Sequence, residues 1–229
     1  MRLDKYLADM KIGTRSEVKK LVRSGRVKVN GSIVKDASLD VKDDDEVLFD
    51  EERVDYLAYE YILLHKPAGY VCALEDKRCP TVMELLESRR KDLVPVGRLD
   101  LDTEGLLLLT NDGKLQHELL SPKSHVDKKY YVETDQKIPE EATEVMKEPM
   151  DLGDFITLPA KLEIISDHSA HLTISEGKFH QVKRMFEKIG CEVTYLKRIS
   201  FGPLELGDLP KGKCRELGEE EIESLKRRA

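Results

Sequence analysis

A short apolar run, Leu106 to Leu109, is the feature that most limits how this chain can fold. The run is too short for a helix, and it is bounded by Gly105 on one side and by the turn sequence Asn111-Asp112-Gly113 on the other. Such a run suits a strand that is buried on both faces of its sheet. The segments before and after it are therefore interpreted around a buried strand.

Charged residues crowd the entrance to this strand: Arg98, Asp100, Asp102 and Glu104. Placing a charge next to the end of a buried strand costs free energy. A carboxylate there is therefore either paired for structural reasons or kept for chemistry. On an extended segment Asp100 and Asp102 would share a face, although the flanking glycines argue against a regular strand. Alternatively, Asp102, Thr103 and Glu104 cap the turn through hydrogen bonds to the backbone. The residues alone do not distinguish Asp100 from its neighbours.

Length and composition indicate more than one folding unit. The chain has 229 residues, 40% of them hydrophobic, which is enough for a sizeable core. No segment suits a membrane span and the N-terminus lacks a signal-peptide core, so we expect a cytoplasmic protein with no membrane partner. The cysteines show no Cys-x-x-Cys spacing, and His168 and His171 lack a second ligand pair, so no metal site is predicted. No phosphate-binding loop or dinucleotide motif is present, so no cofactor is expected.

The charge distribution reverses within the first 60 residues. The formal net charge of -7 argues against a generic nucleic-acid binder. However, residues 1–30 hold nine basic and three acidic side chains, whereas residues 31–60 hold three basic and eleven acidic ones. This reversal predicts a basic module followed by an acidic connector. We predict domains at residues 1–58 and 59–229.

The basic module is predicted to contain two helices and a hairpin. Leu3, Tyr6 and Leu7 have helical spacing, a capping box starts a second helix at Thr14, and Asn30-Gly31 predicts a type I′ turn. Basic side chains form a ridge along the second helix and beyond it: Arg15, Lys19, Lys20, Arg23 and Arg26. Like charges four residues apart repel, so the ridge either is an ordinary solvated face or faces a polyanion.

The remainder alternates helices and strands without strict βαβ order, which predicts an α+β fold with a mixed or antiparallel sheet. A new strand opens at Tyr61, and a strand at Lys128 to Val132 points Tyr130 and Tyr131 to opposite faces. Further strands are predicted around Leu162, His171 and Val193 to Ile199. The predicted helices lie at Thr81 to about Ser88, Leu115 to Leu120, Ile138 to Lys147, Val182 to Ile189, and from about Glu219 onward.

Three segments resemble the motifs of the RNA pseudouridine synthases. Gly97 to Leu106 resembles the central motif of that family, whose indispensable aspartate directly follows Arg-Leu. Lys66 to Gly69 resembles the first motif, which buttresses the active-site loop, and Gly177 to Met185 resembles the third. The likeness covers nearly the whole chain. It is greatest to the RsuA type, which modifies one uridine of small-subunit (16S) ribosomal RNA.

This resemblance implies roles for four residues of the second domain. Asp100 would be the catalytic carboxylate, and Lys183 would be the basic residue that pairs with it, where many relatives have arginine. A neighbouring ammonium favours the ionised carboxylate against the cost of burial. Tyr130 would lie under the target base, and Arg98 would fill the vacated space or hold the flipped-out nucleotide.

The basic module resembles the S4 RNA-binding domain from Arg15 to Gly31. This implies that its five cations touch RNA phosphates, which orients RNA without reading its sequence. The expected protein is a monomeric 16S rRNA pseudouridine synthase, with an S4-like domain followed by a catalytic domain, acting on ribosomal RNA or a pre-ribosomal particle. The alternatives are the same reaction on large-subunit (23S) rRNA or a non-catalytic ribosome-assembly factor. A two-carboxylate hydrolase is disfavoured, because Asp100 and Asp102 are too close in sequence to flank a substrate.

Overall fold

The computed structural model describes residues 1–228, and the chain separates into two compact units. The first unit comprises Met1–Glu60 and Glu87–Leu93, and the second comprises Tyr61–Leu86 and Val94–Ala229. The first unit thus takes in a short segment from the middle of the chain. In residues 1–228, no helix combines the length and the apolar content that a bilayer crossing requires.

The first unit begins with the two predicted helices, α1 (Leu3–Asp9) and α2 (Arg15–Arg23). The capping box at the start of α2 is confirmed, since the Glu17 amide donates to the Thr14 hydroxyl and the Thr14 amide donates to the Glu17 carboxylate. Leu3, Leu7 and Val18 belong to the apolar core of this unit. Helix α2 therefore buries one face and leaves its charged face outward, whereas α1 is almost entirely buried, including Asp4 and Asp9.

A four-stranded antiparallel sheet completes the first unit. Its strands are β1 (Val27–Val29), β2 (Ser32–Ile33), β3 (Val47–Phe49) and β4 (Glu52–Arg53), in the order β2-β1-β3-β4. Asn30 and Gly31 have φ values of 50° and 76°, as the predicted type I′ turn requires. The hairpin is confirmed, whereas β4 was not predicted because its two residues are both exposed and charged.

The second unit is built on one mixed sheet. Its strands are β5 (Tyr61–Lys66), β6 (Val94–Pro95), β7 (Glu104–Thr110), β8 (Lys128–Thr134), β9 (Lys161–Ser166), β10 (Ser169–Ile174), β11 (Val193–Phe201), β12 (Leu204–Glu205) and β13 (Cys214–Glu216). The main path runs β13-β5-β7-β11-β8-β10-β9, with β6 on β7 and β12 on β11. Only β7 and β11 are paired in parallel among these strands. The predicted α+β class is confirmed.

The apolar run of β7 is buried on both faces, as predicted. Leu107 and Leu109 belong to one core cluster, and Leu106 and Leu108 belong to the cluster on the other face. All four leucines are at most 1% exposed. This alternation places the central strand between two apolar layers and fixes which side of the sheet each neighbouring residue faces.

The helices of the second unit cover these two layers. They are α3 (Gly113–Leu120), α4 (Ala142–Val145), α5 (Gln181–Lys188) and α6 (Glu219–Arg228). Residues of α4 and α5 pack in the cluster of Leu107, and residues of α3 and α6 pack in the cluster of Leu106. The layer containing α5 carries the candidate site.

Two predicted helices are much shorter than expected. The helix predicted from Thr81 to Ser88 is a single 3₁₀ turn at Val82–Leu85, although its capping box forms, because the chain is already extended at Leu86. The helix predicted from Ile138 to Lys147 is reduced to α4. Pro139 accounts for the absence of helix at Ile138, because the residue before a proline disfavours the helical conformation.

Candidate active site

Asp100 lies in the loop that enters β7, close to the point where β7 meets β11. Gly105 pairs with Arg198 of β11 and has a φ of 107°. A β-carbon at Gly105 would lie 2.2 Å from the carbonyl oxygen of Arg198, so only glycine fits here. This close approach anchors the C-terminal end of the loop. The Asp100 side chain is 29% exposed.

A buried lysine holds the other side of the loop. Lys66 ends β5 and is 0% exposed, and its ammonium donates to the carbonyl oxygens of Asp100 (3.0 Å), Leu101 (3.3 Å) and Thr103 (2.8 Å). Burial lowers the pKa of Lys66, and the nearby Cys72 thiol and carboxylates oppose that shift. The backbone of Asp100 is therefore set by a side chain that never reaches solvent. The resemblance of Lys66 to Gly69 to the first motif implied that this segment buttresses the active-site loop, and the Lys66 ammonium contacts that loop.

The four site residues predicted in this unit line one cavity. Arg98, Asp100, Tyr130 and Lys183 all contribute to its wall. Its volume is about 420 Å³, including space open to solvent, and the part that can hold water-sized molecules is about 60 Å³, smaller than the roughly 300–1,000 Å³ of typical ligand sites. The sequence therefore identified four of the residues that line this cavity.

The two tyrosines of β8 face opposite ways, as the alternation predicts. Tyr130 is 7% exposed and lines the cavity with Asp100. Tyr131 donates to the Glu133 carboxylate at 2.8 Å and packs edge-on against His171 and Tyr195. Only Tyr130 is thus available to a molecule in the cavity.

The predicted pairing of Lys183 with Asp100 is wrong for this structure. The Lys183 ammonium instead donates to both carboxylate oxygens of Asp102, at 2.7 and 2.6 Å. The loop turns between the two aspartates, so Asp102 projects outward with 70% of its side chain exposed, towards α5. Burial raises the pKa of Asp102, but the hydrogen bonds and charge of Lys183 outweigh burial and leave that pKa below its usual range.

His180 is the basic side chain beside Asp100, and it was not predicted as a site residue. Its Nε2 lies 3.6 Å from Asp100 Oδ1, and its ring lines the same cavity. The backbone of His180 is left-handed, with a φ of 50°, directly before α5 begins. The sequence places a histidine in the third motif, but its spacing does not reveal the backbone twist that turns the ring inward.

The alternative that the other loop residues cap the turn is not what the structure shows. The buried Thr103 hydroxyl has no hydrogen-bond partner within residues 1–228. Glu104 accepts from Tyr195 at 2.7 Å and pairs with Lys211 at 2.8 Å, in addition to a long 3.4 Å bond from the Ala68 amide. Glu104 therefore joins β7 to distant segments rather than capping its own turn.

The five cations of the predicted phosphate-binding ridge are exposed on and beyond α2. Arg26 is bound by the Asp50 carboxylate and lies 4.8 Å from the Phe49 ring centroid, and Lys19 lies 3.9 Å from Asp4. Within the described part of the chain, no ion pair engages the remaining three cations: Arg15, Lys20 and Arg23. These three are the most available for an external anion.

Comparison with known proteins identifies the family of the chain. Residues 60–188 match the family described as RNA pseudouridylate synthase, and residues 1–47 match the S4 domain. An uncharacterized RNA pseudouridine synthase of Bacillus subtilis is 46% identical, with 98% of each chain covered. The ribosomal small subunit pseudouridine synthase A of Haemophilus influenzae is 41% identical over 98% of this chain and 99% of that protein. The enzyme of that name from Escherichia coli is 38% identical over 98% and 100%.

A solved structure gives the same result for the fold. A crystal structure of a pseudouridylate synthase matches with a TM-score of 0.70 and 40% identity, covering 98% of this chain and 99% of that one. The fold and these matches define an RNA-modifying isomerase. The chain belongs to the RNA pseudouridine synthase family and carries an S4 domain at its N-terminus. The predicted resemblance to the RsuA type is confirmed.

Proposed function

We propose that this chain converts one uridine of small-subunit (16S) ribosomal RNA into pseudouridine, with Asp100 as the catalytic carboxylate. The observation that carries this proposal is the convergence of Asp100 and Tyr130 on one cavity that is open to solvent. The small subunit is favoured because the Haemophilus influenzae and Escherichia coli relatives are named as small-subunit enzymes. The RNA is the partner of both units, either free or in an assembling particle.

The reaction needs only rearrangement of bonds within one nucleotide. The bond between uracil N1 and ribose C1′ breaks, the base rotates, and C5 forms a new bond to C1′. C5 loses its proton and N1 gains one, so the product is an isomer of the substrate. The protein must therefore hold a nucleotide outside its stack, orient its base and move one proton.

The cavity supplies groups for each of these tasks. Taking a base out of its stack costs a few kcal/mol, and the Tyr130 ring offers a replacement surface under the uracil. Asp100 acts in its ionised form, as a nucleophile or as a base, from a position that solvent and substrate both reach. Arg98 lies at the exposed rim and holds the flipped-out nucleotide or fills the space that it leaves. Lys183 adds positive charge to the same wall while it fixes the turn through Asp102.

The exposed ridge on α2 contributes binding rather than chemistry. Its cations neutralise RNA phosphates and so help to offset the cost of extracting the target base. This division assigns affinity largely to the first unit and reaction to the second.

Asp100→Asn is the variant that tests the proposal. It keeps the size of the side chain but removes its negative charge. We expect turnover to fall by roughly a thousand-fold or more, as when a nucleophile or its base is removed, while folding and RNA binding are retained. Turnover is measured as tritium released from C5 of small-subunit rRNA transcribed with [5-³H]uridine.

The control is Asp208→Asn, which changes an exposed aspartate that lines neither the site nor a core. It should react like the wild type. The modified position is located by carbodiimide-induced stops in reverse transcription of both ribosomal RNAs. Pseudouridine formation by Asp100→Asn at the wild-type rate would refute the role of Asp100, and stops only in large-subunit RNA would refute the choice of substrate.

A further inference from the structure

A second cavity adjoins the candidate active site. It has a volume of about 910 Å³, including space open to solvent. Four residues line both cavities: Arg98, Asp100, Gly177 and Lys178. A polymer that places one residue in the first cavity can therefore continue directly into the second.

The second cavity displays an exposed aromatic ring. Phe179 is 71% exposed, the highest value for any large hydrophobic side chain in the described residues. Its ring stacks on His180, with centroids 3.8 Å apart and planes inclined by 19°. His180 in turn lies beside Asp100, so the stacked rings of Phe179 and His180 are next to the proposed catalytic carboxylate. A phenylalanine left in water forgoes the stabilisation that burial would give it, and it is pre-positioned to cover a flat apolar surface.

Two exposed cations accompany this ring. Arg98 and Lys178 both line the second cavity. Neither side chain forms an ion pair within residues 1–228. An aromatic ring beside unpaired cations is the arrangement by which proteins hold single-stranded nucleic acid, because the ring stacks on a base while the cations follow the backbone.

We propose that the second cavity is a subsite for the nucleotide next to the target uridine, whose base stacks on Phe179 and whose phosphate lies between Arg98 and Lys178. The proposal rests on the proposed function, since it takes RNA as the substrate. Flipping out a uridine deprives its neighbour of a stacking partner. Phe179 replaces that partner, so the free-energy cost of flipping out the uridine is lowered.

The test compares Phe179→Ala with Phe179→Trp in the tritium-release assay on small-subunit rRNA transcribed with [5-³H]uridine. Loss of one base–aromatic stack should raise KM by about ten-fold or more in Phe179→Ala. Phe179→Trp keeps a stacking surface and should stay within about two-fold of the wild type. Ile156→Ala is the matched control, because Ile156 is an apolar side chain 66% exposed that lines neither cavity.

A spectroscopic measurement separates stacking from structural effects. A single-stranded RNA with 2-aminopurine beside a central uridine should lose fluorescence on binding the wild type and Phe179→Trp, and retain it with Phe179→Ala. Unchanged KM and unchanged quenching in Phe179→Ala, beside an active wild type and an inactive Asp100→Asn, would overturn the subsite alone. A wild type that releases no tritium would overturn the proposed function, and with it the subsite.

Discussion

The half-buried Lys128 lies near a buried cation, Arg198. The Lys128 ammonium donates to the Val126 carbonyl at 2.6 Å and lies 5.5 Å from the Phe201 ring centroid, while the Arg198 guanidinium lies 5.2 Å from the same centroid. Burial, and to a smaller extent repulsion from Arg198, lowers the pKa of Lys128 from 10.5 to about 8. The folded protein therefore releases this proton more easily than the unfolded chain does.

The shift makes stability depend on pH in a defined direction. Between about pH 8 and 10.5 the unfolded state retains the Lys128 proton and the folded state has lost it, so this residue makes the folded state progressively more stable as pH rises. Below pH 8 both states are protonated and the contribution is constant. We expect the free energy of unfolding of the wild type, minus that of Lys128→Met, to increase from pH 8 to pH 10 in urea titrations.

Lys213→Met serves as the control, since the Lys213 side chain is exposed. The wild type and this variant share all other titrating groups. The difference between wild type and Lys213→Met should stay flat over the same range. A flat difference for Lys128→Met as well would show that Lys128 titrates normally in the folded state.

The sequence predicted several of the residues that meet at the site, but neither His180 nor which residues pair. The resemblance to the family motifs singled out Asp100, Tyr130 and Lys183, and these line one cavity. The partner of Lys183 depends on how the loop turns between Asp100 and Asp102, and that turn is set by Lys66 from another strand. Such a long-range contact leaves no periodicity in the sequence.

At the scale of elements, the parallel contact between β7 and β11 brings two backbones too close together for a β-carbon at Gly105. The β-carbon of any other residue at Gly105 would lie 2.2 Å from a backbone oxygen that cannot move independently. Gly105→Ala should therefore destabilise the protein by more than about 4 kcal/mol, the scale of the most severe single substitutions. We expect little native protein in thermal unfolding followed by circular dichroism.

Gly113→Ala provides the matched control for that substitution. Gly113 begins α3, no atom lies within 4 Å of a β-carbon placed there, and its φ is not positive. Alanine favours the helix over glycine by up to about 1 kcal/mol, so this variant should be as stable as the wild type or slightly more stable. A stable Gly105→Ala would show that the two strands can separate without loss of the fold.

Elements with both a local signal and a packing partner were predictable, and the others were not. The buried run of β7 and the capped helix α2 satisfy both conditions. The capping box at Thr81 is a genuine local signal, but the segment after Leu85 extends instead of packing as a helix. Short strands such as β13 exist only because β5 supplies hydrogen bonds to them. Their existence is a property of the sheet, not of their own three residues.

At the scale of the whole molecule, charge is segregated rather than balanced. The chain carries a formal net charge of -7, yet the exposed side of α2 presents three cations that form no ion pair within the described part of the chain: Arg15, Lys20 and Arg23. Net acidity limits non-specific attraction to RNA, whereas a local ridge still attracts phosphates at short range. Affinity should thus come from few contacts and should weaken steeply with salt.

This argument predicts the salt dependence of a triple variant in which Arg15, Lys20 and Arg23 are replaced by Gln. Each lost phosphate contact reduces the slope of log affinity against log salt by about 0.7 on single-stranded RNA, so the slope should fall by about 2. The slope is measured by fluorescence anisotropy on labelled small-subunit rRNA fragments. The control variant removes three lysines of the second unit that are paired on its surface: Lys114, Lys147 and Lys161. Because both variants change the net charge equally, equal slopes would show that the RNA responds to total charge and not to the ridge on α2.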